Sequence, residues 1–362
     1  ATTIPATGDY TTSISPKESK MSDTWFQGLR DIPIFDEADD ALDLKRYARA
    51  LGRFILECDT PITVGIQGDW GSGKTSLMNL VRAWLDRQIS QRVHCIDLNT
   101  WQYAQFAGDS DLSLMMLRAL HVKLAKDPAR LGRALVGVGS MLRSVRAITV
   151  MGSGVELKDI ESSQEFGLED LKAKFAEEVQ ARLRHDKLHR VVVFIDDLDR
   201  VPPVRAVEIL EVLKNFVDVP GCVFVLACDY EVVIRGLETK FGISAKDLNG
   251  RSFFDKIIQV PFRMPVARYD VEHFIRDLLD RIKWGDKDRD IEIYKTLLEH
   301  SIHFNPRSVK RLCNTLMLLR NVAEDQDGAD GNGLLTNPRA QQLLFALVCM
   351  ETSYDKDFVV LV

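Results

Sequence analysis

Two stretches of the 362-residue chain combine residue types and spacings that could do phosphate chemistry. The first is Gly68-Asp69-Trp70-Gly71-Ser72-Gly73-Lys74-Thr75, which fits the pattern G-x-x-x-x-G-K-[ST]. Without Cβ atoms at the glycines, the backbone can wrap closely around a polyphosphate. The N–H groups of such a loop, and of the helix it opens, point at phosphate oxygens, and the helix dipole adds to the attraction. Lys74 would bring a positive charge to the β- and γ-phosphates, and the Thr75 hydroxyl would ligate Mg²⁺. Asp69, Trp70, Ser72 and Ser76 complete the expected nucleotide-binding set.

The second stretch is Asp196-Asp197-Leu198-Asp199-Arg200, directly after the run VVVFI. Carboxylates at the C-terminal edge of a parallel strand face the ligand crevice of an open α/β sheet. Asp196 is expected to hold Mg²⁺ with Thr75. Asp197 stands where many nucleoside triphosphatases carry a glutamate that polarises the attacking water. Asp199 is a further candidate base or metal contact; alternatively, Asp197 and Asp199 both merely cap the next helix or pair with Arg200. Asp229, at the end of the run CVFVLA, either senses the γ-phosphate or caps the next helix. Arg307, in Asn305-Pro306-Arg307, either reaches the γ-phosphate from the C-terminal helices or sits on a solvated basic face with Lys310 and Arg311. Arg251 and Arg263 are weaker candidates for an arginine given to a neighbouring subunit. Trp101 and Tyr103 are read equally as core or as nucleotide contacts.

The elements that must position these groups follow from periodicity. Short β-rich runs at 61–67, 92–98, 191–195, 222–227 and 257–262 alternate with helical spacing at 42–56, 76–85, 112–124, 168–184 and 204–217. Continuous β-branched runs imply strands buried on both faces, hence a parallel sheet covered by helices. After about residue 266 the pattern is helical only, at 269–283, 289–301, 306–322 and 338–350. The expected division is a flexible Thr/Ser-rich leader (1–30), a nucleotide-binding core (31–265) with a helical insertion at about 104–188, a helical lid (266–322), and a linker with the start of a further helical region (323–362).

Composition narrows the classes. Apolar residues make up 46% and the net charge is -6. That excludes a disordered chain and argues against wholesale non-specific nucleic-acid binding. The segment 118–150 is locally basic and could bind nucleic acid or an acidic partner, or be a solvated face. The six cysteines lack C-x-x-C spacing and read as reduced residues of a cytoplasmic protein. No run is long and apolar enough to suggest a membrane span. The chain ends on FVVLV, which reads as the front part of a longer protein.

Taken together, GDWGSGKT, LNTWQY (98–103), FIDDLDR (194–200), DVPGCVFVLACD (218–229), FFDKIIQVPFRMP (253–265) and NPRSVKR (305–311) resemble the KAP family of P-loop NTPases, from about residue 31 to 322. The resemblance implies a three-layer α/β P-loop NTPase of the ASCE type with a parallel sheet and a helical C-terminal lid. It implies ATP as the nucleotide, Mg²⁺-dependent hydrolysis, a homo-oligomer, and roles like those of antiphage ATPases that act beside a separate effector protein. The rival expectations are a nucleotide-gated scaffold with little turnover and a nucleic-acid-sensing ATPase.

Overall fold

The computed structural model describes residues 28–89, 93–107, 112–124, 168–214, 216, 218–242, 250–285, 287–327 and 337–353. The expected leader up to residue 27, most of the basic segment 118–150, the core of the acidic linker and the terminal FVVLV lie outside the described residues.

Five strands form one all-parallel sheet among the described residues: β1 (Ile62–Gln67), β2 (Val93–Asn99), β3 (Arg190–Asp196), β4 (Cys222–Cys228) and β5 (Val260–Arg263). Their spatial order is β2-β3-β4-β1-β5. The strand carrying the acidic cluster is thus separated from the strand feeding the glycine loop by β4, as expected for an ASCE-type P-loop fold. Register aligns the chemically important ends: Asn99 lies opposite Asp196, and Gln67 lies beside both Cys228 and Arg263.

The β-branched runs explain the layering. Along β3, Val192 and Phe194 face one core while Val191, Val193 and Ile195 face the other, the two-residue alternation of a strand. β4 is buried along its whole length. On one face lie α1 (Lys45–Glu57), α2 (Lys74–Ile89) and the helices after β5: α9 (Val271–Arg281), α10 (Lys287–Ser301), α11 (Pro306–Asp327) and α12 (Pro338–Ser353). On the other lie α4 (Leu112–Leu124), α5 (Leu168–His185), α6 (Pro203–Lys214), α7 (Tyr230–Phe241) and α8 (Gly250–Asp255). A short α3 (Thr100–Ala107) continues directly from β2.

Three helices differ from the sequence expectation, which places no element over α3, α7 or α8. In α7 the run Val232-Val233-Ile234 and Gly236 weaken the helical signal. The Asp229 N-cap, which accepts from the Glu231 N–H, and Gly242 in the left-handed region at the other end make the helix. The last strand begins at Val260 rather than 257. Ile257 and Ile258 instead close the turn after α8, both N–H groups donating to the Phe254 carbonyl. Pro261 within β5 is tolerated because, among the described residues, β5 pairs with β1 alone and so forms an edge.

Candidate nucleotide site

The loop between β1 and α2 takes the shape its glycines permit. Gly71 and Gly73 have φ of 89° and 98°, which side-chain-bearing residues rarely adopt. A Cβ on Gly71 would also lie 2.7 Å from Arg307 Cβ, so the first turn of α11 packs directly onto the loop. Asn305 Nδ2 donates to the Trp70 carbonyl at 2.9 Å, and the Tyr269 hydroxyl donates to the Ser72 carbonyl at 2.7 Å. The loop is thus braced by the helical region behind it rather than by local turns alone.

Lys74 is nearly buried. Its Nζ donates to the carbonyls of Gly68 at 2.8 Å and Asp69 at 3.2 Å. It also lies 2.8 Å from Asp199 Oδ2, an ion pair rather than a well-angled hydrogen bond. A phosphate entering the loop competes with this carboxylate for the lysine. Of the roles expected for Asp199, pairing with Arg200 falls instead to Asp197, whose Oδ1 is 2.6 Å from Arg200 Nε. Asp197 Oδ2 accepts from Asn99 Nδ2 at 2.6 Å. Its backbone is left-handed, φ 59°, a conformation aspartate tolerates better than most residues. The Asp197 N–H donating to Asp196 Oδ1 at 2.8 Å helps hold it there.

The Thr75 side chain lies close enough to Asp196 to influence its carboxyl. Burial pushes its carboxyl above the usual carboxylate range, and the negative charges of Asp197 and Asp199 push the same way. The Thr75 side chain and the Asp197 amide oppose them. A hard cation beside this buried carboxylate relieves that cost, and the donors are all oxygen, the set that suits Mg²⁺. Among the described residues no group of three or more His, Cys, Asp or Glu could hold a metal.

Asp229 caps α7, and burial raises its carboxyl. It is near enough to feel the opposing charge of Lys74. Arg263 is exposed at the end of β5. Nothing is described of the Arg251 side chain. Trp101 is exposed, with the Arg200 guanidinium 5.5 Å from its ring centre, while Tyr103 packs against the second core. Arg307 lies on the first turn of α11, its guanidinium 4.9 Å from the Trp70 ring centre and its Nε donating to Asp31 Oδ2 at 2.5 Å.

These groups meet at a cleft of about 730 Å³. Trp70, Gly71, Gly73, Lys74, Thr75, Ser76, Asp197 and Arg307 line it, so most of the sequence-derived set shares one cavity. Asp196, Asp199 and Asp229 stand just behind this lining. The opposite end is built by a segment to which the sequence expectation assigns no element before 42. Residues 28–42 cross the cleft as a strap, with Ile32, Pro33 and Ile34 lining it against Phe274 and Leu278 of α9. Asn314 on α11 clamps the strap, accepting from the Leu29 N–H at 2.7 Å and donating to the Leu29 carbonyl at 2.8 Å. From the other side Asn79 donates to the Ile34 carbonyl, and Ser76 Oγ accepts from the Ile34 N–H. The Ile32-Pro33-Ile34 run is the one local signal that could have marked it. Removing the clamp with Asn314→Ala is expected to speed amide hydrogen exchange of residues 29–34 about tenfold, with sheet protection unchanged, since two hydrogen bonds are lost. Unchanged exchange of the strap would show that it is held by other contacts.

Residues 44–323 match the KAP family P-loop domain. The chain belongs to the KAP family of P-loop NTPases. It is 23% identical over 274 residues to the phage T7 exclusion protein of Escherichia coli K12, an alignment covering 67% of this chain and 35% of that relative. The chain therefore spans about a third of that protein's length. Among solved structures it is similar to the Aeropyrum pernix ORC1 protein in complex with DNA, with a TM-score of 0.42, 13% identity, 78% of this chain covered and 61% of the other. Among the described residues of this KAP-family chain, no helix is long and apolar enough to cross a membrane.

Proposed function

We propose that this KAP-family chain binds ATP with Mg²⁺ and hydrolyses it, and that nucleotide state switches an oligomeric assembly in antiphage defence. The observation that carries the catalytic part is the shared cleft: the glycine loop, Asp197 and Arg307 reach it from three separate parts of the chain. In this reading the strap and α9 hold the base between apolar side chains. The loop amides and Lys74 hold the β- and γ-phosphates. Thr75 and Asp196 would hold the metal, which when bound would neutralise phosphate charge. Asp197 orients a water and accepts its proton as the water oxygen bonds the γ-phosphorus, the bond to the β-phosphate oxygen breaks, and ADP and inorganic phosphate leave. Arg307 balances negative charge on the transferred group if it leaves Asp31. Asp229 stands near the γ-phosphate end as well as capping α7.

ATP rather than GTP rests on family membership. Defence rests on the printed name of the phage exclusion relative, and a separate effector protein on the same analogy. A cytoplasmic homo-oligomer is the form proposed, with Arg251 or Arg263 as an arginine offered across the subunit contact. The domain division at about 30, 265 and 322 is retained as part of this proposal. Binding of nucleic acid through 118–150 depends on residues largely outside the described set.

A second reading, a nucleotide-gated scaffold with slow turnover, is favoured by one observation. One Asp197 oxygen already accepts from Asn99, and the other is ion-paired with Arg200. Phosphate release from ATP·Mg²⁺ by the wild-type protein and by Lys74→Ala and Asp197→Ala variants separates the two. Turnover lost in both variants supports hydrolysis; equal rates in wild type and Asp197→Ala support the scaffold.

A further inference from the structure

Arg200 was not among the expected functional residues, yet it lines the phosphate end of the cleft beside Asp197. Its Nε is 2.6 Å from Asp197 Oδ1. The Asp197 side chain is 12% exposed and that of Arg200 33%, so the pair is only partly open to solvent. Asn99 takes the other oxygen. A water gripped by this carboxylate must share an oxygen with one of these donors or displace it. Asp197 is also a short side chain on a backbone held left-handed, so it has little freedom to swing away from the pair.

The arginine also has a second contact. Its guanidinium lies 5.5 Å from the centre of the Trp101 ring, within cation–π range, and that ring is 41% exposed. Trp101 sits on the first turn of α3, and α3 is tied to the acidic strand end at two points. The Thr100 hydroxyl donates to the Asp196 carbonyl at 2.9 Å. Asn99 Oδ1 accepts from the Gln102 N–H at 2.9 Å while its Nδ2 holds Asp197. A shift of α3 therefore moves both groups that flank the Asp197–Arg200 pair.

We propose that Arg200 is a positioning residue that restrains hydrolysis: paired with Asp197 it blocks the water-orienting carboxylate, and movement of α3 with Trp101 draws it away. This rests on the reading of Asp197 as the group that orients water. Asn99 and Arg200 act together, but only Arg200 has an alternative seat on an exposed aromatic face. The restraint is thus coupled to whatever displaces α3.

The test is ATP turnover by the full chain with Mg²⁺, alongside binding of a fluorescent ATP analogue, for Arg200→Gln, Arg200→Lys, Asp197→Ala and Asp197→Ala/Arg200→Gln. Removing the restraint is expected to raise kcat at least about fivefold, a change of about 1 kcal/mol typical of one partly exposed ion pair, with analogue affinity within about twofold. Arg200→Lys, which keeps the charge but loses the Nε–H and much of the ring contact, should fall between wild type and Arg200→Gln. The double variant should show no gain. A fall in kcat for Arg200→Gln would make the arginine a contributor to turnover and overturn the proposal. So would an unchanged kcat, or no turnover in either protein. If Asp197→Ala alone leaves kcat unaltered, the reading of Asp197 fails instead, and a gain in the double variant would show that the arginine acts elsewhere.

Discussion

Replacing Lys74 with alanine is expected to weaken ATP·Mg²⁺ binding by at least about 100-fold, because charge-assisted contacts to two phosphates are lost together. The structure adds a consequence for stability. Lys74 is nearly buried and faces Asp199, whose side chain is 5% exposed. Alanine at 74 leaves that carboxylate buried without its cation. Breaking one side of a buried pair costs about 3 kcal/mol, which in a domain of this size lowers the melting temperature by roughly 5–10 °C. The Lys74→Ala/Asp199→Ala double variant should recover most of that loss, because removing both partners leaves no uncompensated charge, while nucleotide binding stays lost. Melting temperature by calorimetry and nucleotide binding by titration read the two effects separately. A single variant as stable as wild type would mean that the lysine–aspartate pair contributes nothing to the fold. A double variant that regained binding would remove Lys74 from the nucleotide site.

Asp197→Ala is expected to lower kcat by about 100- to 1000-fold with nucleotide affinity within about threefold, the pattern of a group that acts in the transition state rather than in binding. Asp197 lines the cleft just after the C-terminal end of β3, on the same edge of the parallel sheet as the glycine loop but with β4 between their strands. It is therefore placed to meet the terminal phosphate rather than the rest of the nucleotide. Truncation leaves Asn99 Nδ2 and Arg200 without their carboxylate, but Arg200 lies at the cleft wall and Asn99 is only part-buried, so the fold should tolerate it. Single-turnover phosphate release together with equilibrium binding gives both quantities. Loss of binding in step with rate would show that Asp197 shapes the site rather than orienting water.

The parts of this site that were legible in the sequence are those whose chemistry demands close spacing. The glycine loop needs its lysine and threonine within one turn of a helix start, and a metal-holding carboxylate needs a strand end. Both requirements leave local patterns, GDWGSGKT and VVVFIDD. The inner strands were legible because burial on both faces leaves a continuous β-branched run. What was not legible is decided by pairings across the chain. Arg200 could pair with Asp197 or Asp199 on sequence spacing alone. It takes Asp197 because Lys74, more than a hundred residues earlier, occupies Asp199. The strap at 28–42 has no periodicity of its own and gains its place from Asn314 and Asn79. The helix α3 follows β2 without a turn, so the run Trp101-Gln102-Tyr103 showed neither a strand nor a capped helix. Its hydrogen bonds to Asp196 and Asn99 are what link it to the site.

Titration calorimetry of the wild-type chain with a non-hydrolysable ATP analogue, with and without Mg²⁺, addresses the central claim most directly. The account predicts one nucleotide per chain, a Kd of about 100 μM or tighter with Mg²⁺, and at least about tenfold weaker binding when the metal is chelated. A folded protein that takes up no analogue at about 1 mM, or binds it equally well with the metal removed, would contradict the joining of loop and acidic strand end in one nucleotide–magnesium site.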